Sequence, residues 1–246
     1  MTTPETSTPS SSSSSSTSST SSSAGTAGAS RALAASWDWR LDLPEGWLEV
    51  PGGITGAAQD LAAWERGARA VVRESLEPVP DESGTPAELD DDARAYLDEL
   101  AVVSVTNLRA FADGMAPGDH RVVAALGVMG RGPVPVLVAV GISDPAAPDD
   151  DLMAALGATG GYPAAPPAVE YPDMPDGDGV RVIRLDIGEE SGGAWMSVGL
   201  GRRTEHPDAV VDTVLVWRTQ DLLLGTAMVE LLDQLMPAVR IDQAEA

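Results

Sequence analysis

The chain of 246 residues contains no cysteine and no lysine, two histidines and one phenylalanine. Without sulfur it can form no disulfide, thiolate nucleophile, redox pair, zinc finger or iron–sulfur site. With only His120 and His206 as imidazoles, a multi-histidine metal centre is excluded unless carboxylates complete it. Positive charge is scarce: 15 basic residues, all Arg, stand against 38 acidic ones, for a net charge of −23. Such a balance repels the phosphates of nucleic acids and the anionic face of a bilayer, so neither is an expected partner. The exclusive use of Arg reads as codon bias. No apolar run approaches the ~20 residues of a membrane span. The opening Met1–Thr6 has neither a basic nor an apolar signal region, so the expected compartment is the cytoplasm.

The chain divides by composition into residues 1–34, a tail, and residues 35–242, a single domain. Residues 7–30 are almost wholly Ser, Thr, Ala and Gly and carry no charge, so they bury nothing to offset the cost of ordering a backbone. They read as a disordered linker or solubilising tail, with a phosphorylated or glycosylated tract as the alternative. Order is expected to begin near residues 31–36. The remaining ~210 residues suffice for one core without staples.

Trp37-Asp38-Trp39-Arg40-Leu41-Asp42-Leu43 alternates apolar and polar residues and reads as a half-buried strand, with Trp47-Leu48-Glu49-Val50 as its expected hairpin partner. Leu61, Trp64, Ala68, Val71, Val72 and Leu76 recur at three- and four-residue steps, a first helix. A second is expected from a Thr85-Pro86-Ala87-Glu88 capping sequence, with Leu89, Ala93, Tyr96, Leu97 and Leu100 as its buried stripe. Val102-Val103-Ser104-Val105-Thr106 is β-branched and is expected to be a strand, although Leu108 and Phe111 would continue a helix. Val134, Val136, Val138, Val140 and Ile142 share one face of the clearest strand, in which Pro135 implies an edge position or a bulge. A short helix over 149–156 and an extended Pro-rich segment, 163–167, follow. The last third reads as an antiparallel meander with strands over 180–187, 194–201, 209–218 and 222–229, closed by a helix carrying Leu231, Leu232, Leu235, Met236 and Val239 and fraying near Pro237. The expected fold class is α+β: a twisted antiparallel sheet of about six to seven strands flanked by helices.

No motif supplies a catalytic, cofactor-binding or metal residue. Gly127-Val128-Met129-Gly130-Arg131-Gly132 is glycine-rich, yet a phosphate loop must lead into a helix N-terminus, and Pro133 and a strand follow instead, so it reads as a hairpin turn. Asp173, Asp176 and Asp178 miss the calcium-loop spacing and read as a solvated acidic turn. Asp90-Asp91-Asp92 suits the favourable field at a helix start. Ser197 or Thr204 with His206 and Asp208 supplies the residue types of a hydrolytic triad without a nucleophile-elbow sequence, so no triad is assigned. Arg202-Arg203 reads as a solvated hairpin tip or a partner for carboxylates.

Leu43-Pro44-Glu45-Gly46-Trp47, the strand over 134–143, Gly179-Val180-Arg181-Val182-Ile183-Arg184 and the run 213–241 resemble uncharacterised actinobacterial proteins with a PsbP-like fold. The resemblance spans nearly the whole folded region and implies a twisted antiparallel sheet with flanking helices. Its better-known members, photosystem extrinsic proteins and a Ran-binding nuclear-import factor, act by docking to larger partners, and none implies a catalytic residue. The expected function is a non-catalytic binding or assembly module for a protein partner. The alternatives are an enzyme using a carboxylate and Arg pocket, and a surface protein exported without a signal sequence.

Overall fold

A computed structural model describes residues 37–52, 58–78, 88–115, 120–146, 151–174, 176–188 and 192–243. The expected tail over 1–34 and the capping sequence at Thr85 lie outside the described residues. Four α-helices are described: α1 (Ala58–Ser75), α2 (Asp91–Gly114), α3 (Leu152–Ala155) and α4 (Gly225–Leu235). The ten described strands are β1 (Trp37–Leu41), β2 (Trp47–Val50), β3 (His120–Ala125), β4 (Val134–Ser143), β5 (Ala168–Glu170), β6 (Asp173–Met174), β7 (Gly177–Ile187), β8 (Ala194–Glu205), β9 (Val210–Thr219) and β10 (Val239–Gln243). The fold class is α+β, as the composition and periodicity imply.

The main sheet has eight strands in the order β2-β3-β4-β9-β8-β7-β5, with β6 also on β7, and β1 pairs β10 in a separate two-stranded ribbon. Every pairing is antiparallel. Because directly opposed residues project to the same side, register sorts side chains into two faces. Val122, Leu137, Val216, Gly199 and Val182 form one continuous row on the first face. There α1 and α2 cover the β2–β4 end through Trp64, Leu108 and Ala112, and α3 covers the β7–β9 end through Leu152 and Leu156. On the second face, Val136, Val138, Val198, Leu200, Leu215 and Trp217 pack against Met228, Leu232 and Leu235 of α4 and against the β1–β10 ribbon. The central strands are thus buried on both faces. That accounts for the near-continuous valine runs of β4 and β9.

Small residues set how closely α3 approaches. A Cβ at Gly201 would come within 2.8 Å of Leu156 Cδ1 and 2.9 Å of Leu152 Cδ1, and one at Gly199 within 2.9 Å of the Leu156 carbonyl oxygen. The helix lies on the bare backbone of β8.

Several local expectations are corrected. Residues 102–106 belong to α2, because Ala101, Val105, Leu108 and Ala112 recur on one face and are buried, with Ala101 and Val105 packed against Ala68 and Val72 of α1. Burial of that stripe outweighs a β-branched propensity penalty of only a few tenths of a kcal/mol per residue. The described helix starts at Asp91, with the Asp90 carboxylate accepting from the Ala93 N–H at 2.7 Å. β2 pairs β3 and not β1, whose partner β10 lies at the other end of the chain. Residues 222–229 form no strand: Asp221 accepts from the Leu223 N–H, a 3-10 turn spans Leu222–Leu224, and α4 follows at once. Pro237 lies in a second 3-10 turn that ends this helix, after which β10 begins.

Pro135 is inside the sheet order, but its position obeys the same physics as an edge. β4 pairs β3 from Val134 onward, whereas its pairing with β9 starts only at Leu137. The Pro-rich segment does not run free over the surface: Pro163 bridges Asp186 and Ala164 N–H donates to the Leu185 carbonyl. Trp37 enters the core as expected, and Trp39 takes the Arg121 guanidinium over its ring at 4.5 Å. The glycine-rich 127–132 stretch is the β3–β4 connection, with Met129 at the positive φ of 51°.

Candidate functional site

Two concave surfaces stand out among the described residues, one on the first face beside α3 and one beside α2 at the ends of β4 and β9. The first is a cleft of about 780 Å³ bordered by the end of α3, the loop after it, and β7 to β9. Strand register places Arg184, Ser197 and Arg218 side by side on three adjacent strands, with Asp186 opposite Trp195 one step along the same face. Arg184 is the keystone. Its Nε donates to Asp186 Oδ1 at 2.7 Å, and its Nη1 donates to the carbonyls of Gly157 at 3.1 Å and Gly160 at 2.9 Å.

Those carbonyls face the guanidinium because the loop turns through left-handed glycines, Gly157 at φ 81° and Gly160 at φ 77°. Gly161, at φ 60°, passes so close over Arg184 Nη2 that any Cβ there would collide with it. Arg184 and Asp186 are largely buried, with side chains 11% and 17% exposed, whereas Arg218 is 55% exposed. Arg218 Nη2 stands 3.8 Å from Asp186 Oδ2, too far for a hydrogen bond, and its guanidinium lies 5.0 Å from the Trp195 ring centroid. Arg218 is therefore aimed by an ion pair and a ring while its N–H groups stay open to the cleft.

The second surface is a groove of about 500 Å³ between α2 and the ends of β4 and β9, with Leu108, Phe111, Pro133, Pro135 and Trp217 among its lining residues. Arg131 and Asp221 pair across its rim at 3.2 Å. From this groove an apolar stripe continues along the outer side of α2, where Tyr96, Val103 and Phe111 are 64%, 47% and 40% exposed, which corrects the expectation that Tyr96 is buried. Their spacing of seven and eight residues keeps them on one helical side, roughly opposite the buried stripe.

Of the residue groups weighed in the sequence, these surfaces take up only Ser197, in the cleft, and Arg131 and Gly132, at the groove. Ser197 and Thr204 are seven residues apart on one strand, hence more than about 20 Å apart. Thr204 Oγ1 donates to the Asp176 carbonyl, the His206 ring packs at 4.6 Å from Trp37, and Asp208 accepts from Gln243 Nε2. No triad geometry results. Asp173 and Asp178 face each other across the β6–β7 turn. Among the described residues no group of three or more metal-ligating side chains occurs, and no helix is long and apolar enough to cross a membrane.

The expectation of a solvated Arg202-Arg203 pair is corrected for Arg202, which is 5% exposed. It donates to the Val239 carbonyl at 3.2 Å, tying β8 to β10, and burial lowers its pKa against the pull of Asp176. Arg203 does meet a carboxylate: its Nε and Nη2 grip both oxygens of Asp212 at 2.8 and 2.7 Å. Elsewhere on the second face, Arg181 bridges Glu170 and Asp233. Its burial works to lower the pKa, and hydrogen bonds to the two carboxylates raise it on balance.

Sequence reading missed both surfaces. The cleft joins residues from four separate segments, and the exposed part of α2 was assigned in part to a strand. The alternation of β7 and β9 is the signal that could have placed Arg184, Asp186 and Arg218 on one face. Compared with known proteins, the chain matches no family model and no curated sequence.

Proposed function

We infer that this protein is a non-catalytic protein-binding module whose docking surface is the outer side of α2 together with the groove beside it. The observation that carries this reading is the exposed stripe of Tyr96, Val103 and Phe111, which runs into a groove walled by apolar side chains. β-branched and aromatic residues on the solvent side of a helix have neither high helix propensity nor burial to favour them. Cover by a partner supplies the missing burial. The resemblance to PsbP-like proteins, which act by docking, supports the same proposal.

The occupant is an amphipathic helical segment with basic flanks. An apolar stripe of this length accepts the i, i+4, i+7 anchors of such a helix. Asp92 and Glu99, both exposed, stand at i−4 and i+3 from Tyr96, and the whole chain carries −23, so basic flanks complement the rim.

A designed Leu/Lys amphipathic peptide and its Leu/Glu counterpart, followed by fluorescence anisotropy, test the reading. The basic peptide binds, and Val103→Glu and Tyr96→Glu each weaken it by about tenfold. General attraction to an acidic protein would do the reverse, because each substitution adds negative charge. Unchanged or tighter binding by the variants would overturn the docking surface.

A further inference from the structure

The polar cleft carries a second inference, argued from other observations than the α2 stripe, although Arg218 borders both the cleft and the groove beside α2. We propose that it is a receptor for a carboxylate monoanion borne on an apolar body, with Arg218 as the group that meets the anion. Arg184 and Asp186 are committed to each other, and Arg184 also to the Gly157 and Gly160 carbonyls, so they form the frame. The Arg218 guanidinium makes no hydrogen bond to any described residue, although Trp195 and Asp186 hold it in place. A pre-oriented guanidinium with open N–H groups matches the two oxygens of a carboxylate.

Ser197 lies between Arg184 and Arg218 in the register, and its hydroxyl engages no described residue. It supplies a further donor. Leu156, Ile187 and Val216 give the cleft apolar lining, and about 780 Å³ is room for a small organic body in addition to the anion. Two guanidiniums and one carboxylate leave the described lining at +1, which balances one negative charge and not two. A phosphate monoester dianion would meet Asp186 with a surplus charge. Two sources share this chemistry: a small carboxylic acid and the C-terminal carboxylate of a peptide.

Calorimetric titration of the full chain tests the proposal. The probes are hexanoate, its neutral counterpart hexanamide, hexyl phosphate, and a short apolar peptide as free acid and as C-terminal amide. Hexanoate or the free-acid peptide binds, the amides do not, and hexyl phosphate binds more weakly than hexanoate. Tighter binding of the free-acid peptide than of hexanoate identifies a chain terminus as the ligand; the converse identifies a small acid. Arg218→Gln weakens binding by about tenfold or more, and Arg218→Lys, which keeps the charge but not the fork, weakens it less. Val103→Glu leaves these affinities unchanged, which separates the cleft from the α2 surface. No binding by either carboxylate, equal binding of hexanamide, tighter binding of hexyl phosphate, or full binding by Arg218→Gln would each overturn the assignment.

Discussion

Substituting Gly161 by Ala tests whether the cleft is held open by a single lock between the glycine loop and Arg184. The backbone at Gly161 has φ 60°, which costs an L-residue about 1–2 kcal/mol. The new Cβ would also collide with Arg184 Nη2, so the guanidinium must swing away from the Gly157 and Gly160 carbonyls. Each such charged hydrogen bond contributes about 1.5–3 kcal/mol, and loss of one gives a total near 3–5 kcal/mol. For a domain of this size, each kcal/mol is a shift in Tm of about 2–4 °C. The expected drop is therefore about 10 °C. Urea denaturation of a double-mutant cycle isolates the lock, with Arg184→Met as the second substitution. When Arg184→Met is already in place only the backbone strain remains, so Gly161→Ala should cost about 1–2 kcal/mol there, a coupling of at least ~1.5 kcal/mol. Equal costs with and without the arginine would refute the lock, because the loop conformation would then owe nothing to Arg184.

Further outcomes follow from packing and pairing. Gly201→Ala should destabilise by about 1–3 kcal/mol by pushing Leu152 and Leu156 of α3 off β8, read as a fall in the urea midpoint. Asp90→Ala removes the cap of α2 and should cost about 1 kcal/mol, whereas a serine there should retain most of it in thermal melts. Arg202→Met should cost about 1–3 kcal/mol, because it removes the donor from the buried Val239 carbonyl, whereas Asp176, 4.0 Å away and 63% exposed, is resolvated by water. Arg203→Met should cost about 3 kcal/mol, because it strips the bidentate partner from Asp212, which is 13% exposed; matched denaturation curves compare the two.

How much was legible varied with the range of the interaction. The strand over 134–143 was readable because its alternation is local and its valines are buried on schedule. The α1 stripe was readable for the same reason, since Trp64, Ala68 and Val72 fall on one helical face. Residues 102–106 misled because β propensity is a property of the run alone. Its helical state depends on Val105 meeting Ala68 and Val72 from a segment over 30 positions earlier. Leu222–Val229 misled likewise: an apolar run of that length serves strand and buried helix equally, and only α4's place over β8 decides between them.

Neighbouring residues alone gave away the class of the fold, the antiparallel run of β7 to β9 and the chemistry denied to a chain without cysteine, because composition and short-range periodicity are local properties. Tertiary structure alone decided that β1 would pair β10, that Arg202 would be buried while Arg218 stayed open, and that Arg184, Asp186, Ser197 and Arg218 would share one cleft. Those outcomes depend on strand register and on which layer covers each face. A shift of one residue in register moves a side chain to the opposite side of the sheet, so these positions were set only when the strands paired.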